Sequence, residues 1–131
     1  MTNPELISLA LKARENSYSP YSGFKVGAAL LTAGGKVYTG CNIENGSYSV
    51  TNCAERTALF KAVSEGEREF SKIAVAGGKD EKPDGFCYPC GVCRQALSEF
   101  CGEDFEVICA VSEDEYKVYR LKDLLPEAFS L

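Results

Sequence analysis

Three cysteines stand out for the chemistry they could do together: Cys53 in Thr51-Asn52-Cys53-Ala54-Glu55-Arg56, and Cys90 and Cys93 in Pro89-Cys90-Gly91-Val92-Cys93-Arg94. The chain contains no histidine, so if a transition metal binds, thiolates must do most of the holding. Zinc accepts sulfur donors in tetrahedral geometry. Three protein ligands leave the fourth position to water, which is what separates a catalytic zinc from a structural one. Glu55, two residues after the first candidate ligand, would set a proton carrier beside that water.

Each of these residues also has an ordinary reading. Cysteines pack as small core hydrophobes, and Cys93 lies on a stripe with Ala96, Leu97 and Phe100. Cys87 and Cys90 form a rival Cys-x-x-Cys pair. Cys90 with Cys93 is preferred, because Pro89 suits the entry to a helix and leaves Cys87 in the preceding loop. With Asn52 as a helix cap, Glu55 becomes the third helical residue, able to bond back to the cap N–H. Arg56 reads as a solvated helix charge. It also has a specific job available: three thiolates on a dication sum to −1, and a guanidinium donating to sulfur would restore Lewis acidity.

The elements that must position these groups follow from periodicity. Asn3 then Pro4 predicts a helix start with Asn3 as cap, and Leu6, Leu9, Ala10 and Ala13 recur at helical spacing. Tyr18 to Gly23 ends that helix. Val26, Ala28 and Leu30 alternate as a strand, Ala33 to Lys36 is a hairpin turn, and Val37 to Asn42 returns. A second helix runs from Asn52 to a stop at Gly66. Ile73 to Ala76 is a short buried strand. A third helix covers Gly91 to Cys101, with strands at Phe105 to Val111 and Tyr116 to Arg120 after it. Leu124, Leu125 and Phe129 predict a short docked tail. The order α-β-β-α-β-α-β-β-α implies one mixed sheet with helices on its faces. On this reading Cys53 and the Cys90–Cys93 pair sit in the first turns of two helices, where unpaired N–H groups and the helix dipole favour thiolate.

Composition bounds the rest. A chain of 131 residues that is 45% apolar is expected to fold as one domain, 1–131, with a real core. No signal peptide or membrane-length apolar run is read. Seven cysteines without a secretory signal imply a reducing, cytoplasmic setting and metal or free thiols rather than disulfides. The net charge of −5, with no Lys/Arg cluster, disfavours a nucleic acid polymer as partner.

Cys53-Ala54-Glu55, Pro89-Cys90-Gly91-Val92-Cys93-Arg94-Gln95 and Asn42-Ile43-Glu44-Asn45 together resemble the small zinc-dependent cytidine deaminases, in particular the homotetrameric class with three cysteine ligands. The likeness runs from Tyr18-Ser19-Pro20-Tyr21-Ser22 to Leu124-Leu125-Pro126. It implies a three-layer α-β-α sandwich around a mixed five-stranded sheet, and one zinc per subunit on Cys53, Cys90 and Cys93. It also implies hydrolytic deamination at C4 of cytidine and deoxycytidine, to uridine and deoxyuridine plus ammonia, in pyrimidine salvage. Glu55 would shuttle protons from the zinc-activated water to N3 and then to the leaving amine. Asn42 and Glu44 would hold the ribose 3′-hydroxyl, Phe24 would stack near the pyrimidine, and the backbone at Ala54 would read the base edge. Neighbouring subunits of a homotetramer would complete each pocket through the Gly46 and Tyr48 region and Phe129. Gly46 stands where the family pattern has alanine, and the Gly77 to Cys87 loop is longer than the pattern. Three alternatives share these motifs: a deaminase of a cytosine-bearing antibiotic such as blasticidin S, a polynucleotide deaminase, and a non-catalytic zinc module with Cys87 as fourth ligand.

Overall fold

A computed structural model describes Met1–Leu131. The first helix, α1, spans Asn3–Arg14. Its cap is Thr2 rather than the expected Asn3. Thr2 Oγ1 accepts the Glu5 N–H at 3.3 Å and Glu5 Oε2 accepts the Thr2 N–H at 3.0 Å, a reciprocal pair that satisfies two orphan donors. The Asn3 side chain instead accepts from Lys72 Nζ at 2.6 Å.

Strands β1 (Lys25–Thr32) and β2 (Val37–Cys41) form an antiparallel hairpin. A single 3-10 turn, Tyr48–Val50, precedes α2 (Ala54–Ser64). Then come β3 (Phe70–Gly78), α3 (Gly91–Phe100), β4 (Glu106–Ala110), β5 (Tyr116–Arg120) and the one-turn α4 (Leu121–Leu124). The order matches the sequence expectation. β1 and β3 are each longer than expected, because they pair along their length from Lys25↔Gly78 to Thr32↔Phe70.

The sheet order is β2-β1-β3-β4-β5. Only β3 and β4 run parallel, with α3 in the crossover between them. Alternating side chains divide into two cores. Ala28, Leu30, Ile73, Val75, Val107 and Cys109 pack with Ala58, Leu59, Ala62 and Leu97 of α2 and α3. Ala29, Leu31, Ala74, Ile108 and Ala110 pack with Leu6, Ile7 and Ala10 of α1. Helices therefore cover both faces of a mixed five-stranded sheet, the three-layer arrangement expected. No helix is long and apolar enough to cross a membrane.

Two contacts set the region that holds the motifs. Gly40 in β2 lets the first turn of α2 approach closely: a Cβ there would lie 2.6 Å from Ala58 N and 2.7 Å from Ala54 O. Arg14, only 4% exposed, donates from Nε to Lys25 O (2.9 Å), from Nη1 to Glu81 O (2.7 Å), and from Nη2 to Gly78 O (2.7 Å) and Asp80 O. One guanidinium thus pins the long loop after β3 to the start of β1.

The tail differs from expectation. Leu124 and Leu125 are half-buried, but Phe129 is 68% exposed, and residues 126–131 are all exposed. The chain presents no apolar surface that covers that ring.

Candidate metal centre

The two ligand-bearing helices begin at the candidate ligands themselves. Cys53 is the N-cap of α2 and Cys90 the N-cap of α3; both have extended backbone, and neither side chain makes a cap hydrogen bond. Oxygen-bearing side chains ordinarily occupy this position. Here the sulfurs point elsewhere, and the first-turn N–H groups leave a positive end at each helix. Asn52 is not the cap. Its backbone N–H and C=O pair with Ile43 O and N, both at 2.9 Å, so it belongs to a bridge before the helix. Glu55 is therefore the second helical residue, not the third, and the capping reading of Glu55 fails.

The sulfurs converge. Cys53 Sγ lies 3.7 Å from Cys90 Sγ, and Cys90 Sγ lies 3.6 Å from Cys93 Sγ. All three lie within 4.8 Å of one another, and no other cysteine, aspartate or glutamate joins the group. A tetrahedral zinc with bonds of about 2.3 Å sets its sulfurs about 3.8 Å apart. Two of the three sulfur pairs already have that spacing and the third lies within 4.8 Å, so the donors fit the ion, and all seven cysteines are free thiols. Cys87 stands outside the group, which removes the four-cysteine structural module.

Hydrogen bonding and charge mark the same place. Arg56 Nη2 donates to Cys53 Sγ at 3.4 Å. Burial opposes the Arg56 charge, but hydrogen bonds to the Cys53 and Cys93 sulfurs outweigh it and raise its pKa. Its Nε is buried without a hydrogen-bond partner. Cys53 is pulled down to about 5, first by a hydrogen bond from Cys93 and then, against burial, by Arg56 and Cys90. Cys93, as donor in that pair and buried, is raised. Of this hydrogen-bonded pair, Cys53 therefore carries the charge and Cys93 the proton. Glu55 is 3% exposed, and burial pushes its carboxyl up to about 7.

A cleft of about 290 Å³ opens onto the cluster. It brings together Phe24, Asn42, Glu44, Cys53, Ala54, Glu55 and Cys90. Cys93 is buried behind it. Gly46, Tyr48 and Phe129 are exposed and do not line it. Tyr48 instead packs edge-on against Tyr21 at 6.0 Å. Val26, Thr51, Cys87 and Tyr88 also line the cleft and were not singled out as site residues. Cys87 carried the one available signal, its place just ahead of the Pro-Cys pair. Larger grooves lie elsewhere, including one of about 560 Å³ between α3, α4 and the tail, but none carries the sulfurs.

Asn42 is 8% exposed. Its Oδ1 accepts from Val26 N–H (2.9 Å) and Ser17 Oγ (2.5 Å), and its Nδ2 donates to Phe24 O (2.8 Å). Of the four bonds an amide side chain makes, one Nδ2 hydrogen remains. Glu44 Oε1 accepts from the N–H groups of Tyr21 (3.0 Å) and Ser22 (3.1 Å), and Oε2 from Ser22 Oγ. These bonds, led by the Ser22 hydroxyl, hold its carboxyl below the ordinary value.

Comparison with known proteins agrees with this geometry. The family described as "Cytidine and deoxycytidylate deaminase zinc-binding region" matches residues 1–110. A cytidine deaminase of Sporosarcina psychrophila is 49% identical over 126 residues, covering 96% of this chain and 90% of the relative. One from Halalkalibacterium halodurans is 49% identical over 131 residues, covering 99% and 96%. The crystal structure of cytidine deaminase from Burkholderia pseudomallei superposes with a TM-score of 0.90 at 50% identity, covering 98% of this chain and all of the other. A zinc-shaped trio of sulfurs at two helix starts, on a shared fold and at this level of identity, leaves one conclusion: the chain belongs to the cytidine and deoxycytidylate deaminase zinc-binding family.

Proposed function

We propose that the protein is a zinc-dependent deaminase of cytidine and deoxycytidine, producing uridine or deoxyuridine and ammonia for pyrimidine salvage. The observation that carries this reading is the Cys53–Cys90–Cys93 cluster at tetrahedral-edge spacing, with a buried carboxyl at the second residue of the same helix. Zinc, when bound, supplies the Lewis acidity that brings a water's pKa near neutrality.

The chain's own groups do the rest. Glu55 accepts the proton of the attacking water on a carboxylate oxygen and delivers it to N3 of the pyrimidine, which makes C4 electrophilic. It then takes the proton of the hydroxyl now bonded to C4 and passes it to the amino group; the C4–N bond breaks, ammonia leaves and the C4 carbonyl forms. Arg56 offsets negative charge at Cys53. Asn42, with one amide hydrogen uncommitted, donates to the ribose 3′-hydroxyl, and Glu44 accepts from it. Phe24 packs against the base, and the Ala54 backbone meets its polar edge. A site built to hydrogen-bond a sugar hydroxyl rejects ligands lacking it far more strongly than an apolar pocket rejects a missing methylene.

We further propose that residues 1–131 act as one catalytic domain in the cytoplasm, and that four chains assemble so that the Gly46 and Tyr48 region and Phe129 complete neighbouring pockets. Support comes from the exposure of Tyr48 (77%) and Phe129 (68%), two large aromatic side chains that the chain itself leaves uncovered. The charge of −5 speaks against a polynucleotide substrate.

The test is metal analysis joined to an absorbance assay of cytidine conversion on purified protein. One zinc per chain is expected, with activity lost to a chelator and restored by zinc. Zinc-loaded protein that leaves both nucleosides unchanged would refute the activity. A mass in solution other than four copies of the 14.2 kDa chain would refute the assembly alone.

A further inference from the structure

Arg94 follows the ligand Cys93 in α3 and is half-buried. Its guanidinium spans two parts of the chain. Nε donates to Pro89 O at 2.7 Å and Nη1 donates to Leu124 O at 2.8 Å. Pro89 immediately precedes Cys90 and is fully buried. Fixing its carbonyl fixes the peptide plane that leads into Cys90, and so limits where the Cys90 backbone, and with it the ligand, can sit. Leu124 ends α4, where carbonyls lack helical partners and a basic side chain satisfies them well.

The start of α4 is held by buried Leu121 and by the N–H groups of Leu121 and Lys122, which donate to Phe105 O (2.8 Å) and Glu103 O (3.0 Å); Arg94 holds its far end. The last backbone hydrogen bond along the chain is Leu125 N–H to Leu121 O, at 2.9 Å. A four-residue helix has no stability of its own, and α4 packs chiefly on β5 and α3. Arginine suits the bridging position because its planar fork presents donors in two fixed directions, which a lysine ammonium does not.

We propose that Arg94 is a positioning residue that ties the metal-ligating turn at Pro89–Cys90 to α4, so that zinc retention and the order of the C-terminal segment are coupled. Coupling of this kind is reciprocal: bound zinc steadies α4, and a steady α4 slows zinc loss. Under the proposed function the same tie sets where the tail carrying Phe129 departs, but the test below needs neither the deaminase activity nor the assembly.

The experiment compares the zinc-loaded wild-type protein with Arg94→Met. One readout is the rate of zinc release into excess chromogenic chelator. The other is hydrogen exchange at Leu125 and α4, with and without zinc. Wild-type α4 is expected to exchange faster once zinc is removed. Arg94→Met is expected to release zinc about tenfold faster, the low end for losing a group that orients a ligand. Its α4 is expected to exchange at one fast rate whether zinc is bound or not. Arg94→Lys, which keeps the charge but reaches one carbonyl at a time, is expected to fall between, and it serves if Arg94→Met does not fold. Wild-type zinc release in either variant overturns the proposal. Faster α4 exchange with unchanged zinc release overturns it too, since Arg94 would then anchor the tail without touching the metal.

Discussion

Replacing Gly40 by alanine probes whether the metal centre depends on how closely α2 lies on the sheet. The added Cβ would fall 2.6 Å from Ala58 N and 2.7 Å from Ala54 O, the partners of the first-turn hydrogen bond of α2, and 2.9 Å from Thr57 Cβ. Ordinary contact begins near 3.4 Å, so the helix start must lift by roughly 0.8 Å. Metal–ligand distances tolerate about 0.2 Å, and Cys53 is the cap of that helix. Its sulfur therefore cannot keep its spacing to Cys90 and Cys93. Overpacking of this kind costs about 1–3 kcal/mol. With an unfolding entropy of about 2.1 cal/mol/K per residue, that lowers Tm by about 4–11 °C for a chain of this length. Misplacement near 1 Å costs about 10²-fold in turnover. Melting curves, zinc content and deamination rate are measured beside Gly102→Ala, where an added Cβ meets nothing within 4 Å. If Gly40→Ala matches the wild type in all three, or the control falls as far, the close-approach reasoning is wrong.

Other perturbations separate the roles of individual groups. Glu55→Gln should keep fold and zinc while turnover drops by about 10²–10⁴, the range for a general acid–base group; near-normal turnover would reduce Glu55 to a buried bystander. Arg56→Ala should leave the sulfurs clustered but lose metal faster or turn over more slowly, and wild-type behaviour in both would refute charge balancing at Cys53. Removing zinc at pH 8 should add two fast-reacting thiols, Cys90 and Cys53. Cys87, Cys101 and Cys109 should stay slow because burial pushes each to about 12, leaving roughly one in 10⁴ as thiolate; a thiol count unchanged by the chelator would place the metal elsewhere. Arg14→Met should lower the urea midpoint by the equivalent of about 2–4 kcal/mol, since the carbonyls it holds lose their donors. An unchanged midpoint would show that the loop after β3 is held by something else.

The parts of this molecule legible in its sequence are those written in short patterns. Period-two alternation marked β1, the turn at Ala33 to Lys36 marked the return of β2, and Pro89 before Cys90 marked the start of α3 closely enough to choose Cys90 with Cys93 over Cys87 with Cys90. Cap assignments slipped by one residue at both α1 and α2. At α1 the reciprocal bonds of Thr2 and Glu5 outcompeted Asn3. At α2 the pairing of Asn52 with Ile43 took the backbone groups a cap needs. Arg14 went unnoticed because its acceptors at the end of β3 and in the loop after it lie 64 to 67 residues away, and Arg94 because one of its two lies 30 away. No local pattern announces bonds of that reach. The docked tail was expected because Leu124, Leu125 and Phe129 look alike as a string. Only the fold shows that the chain offers the first two an apolar surface and leaves the ring of Phe129 bare.

The electrostatics of the centre depend on the cap slip at α2. Had Asn52 capped the helix, its side chain would have accepted the first-turn N–H groups and muted their charge. With Cys53 and Cys90 as caps whose sulfurs make no such bond, two helix starts keep their unpaired donors on the side where thiolate charge gathers. Zinc with three thiolates carries −1, and Arg56 brings the sum to zero. A dication left at −1 beside a buried carboxylate would resist ionising its water; at zero, with two positive helix ends behind the sulfurs, it resists far less. Shifting the cap by one residue also moves Glu55 to the second helical position, too early to bond back to the cap and so free to turn toward the cleft that Phe24 and Asn42 line.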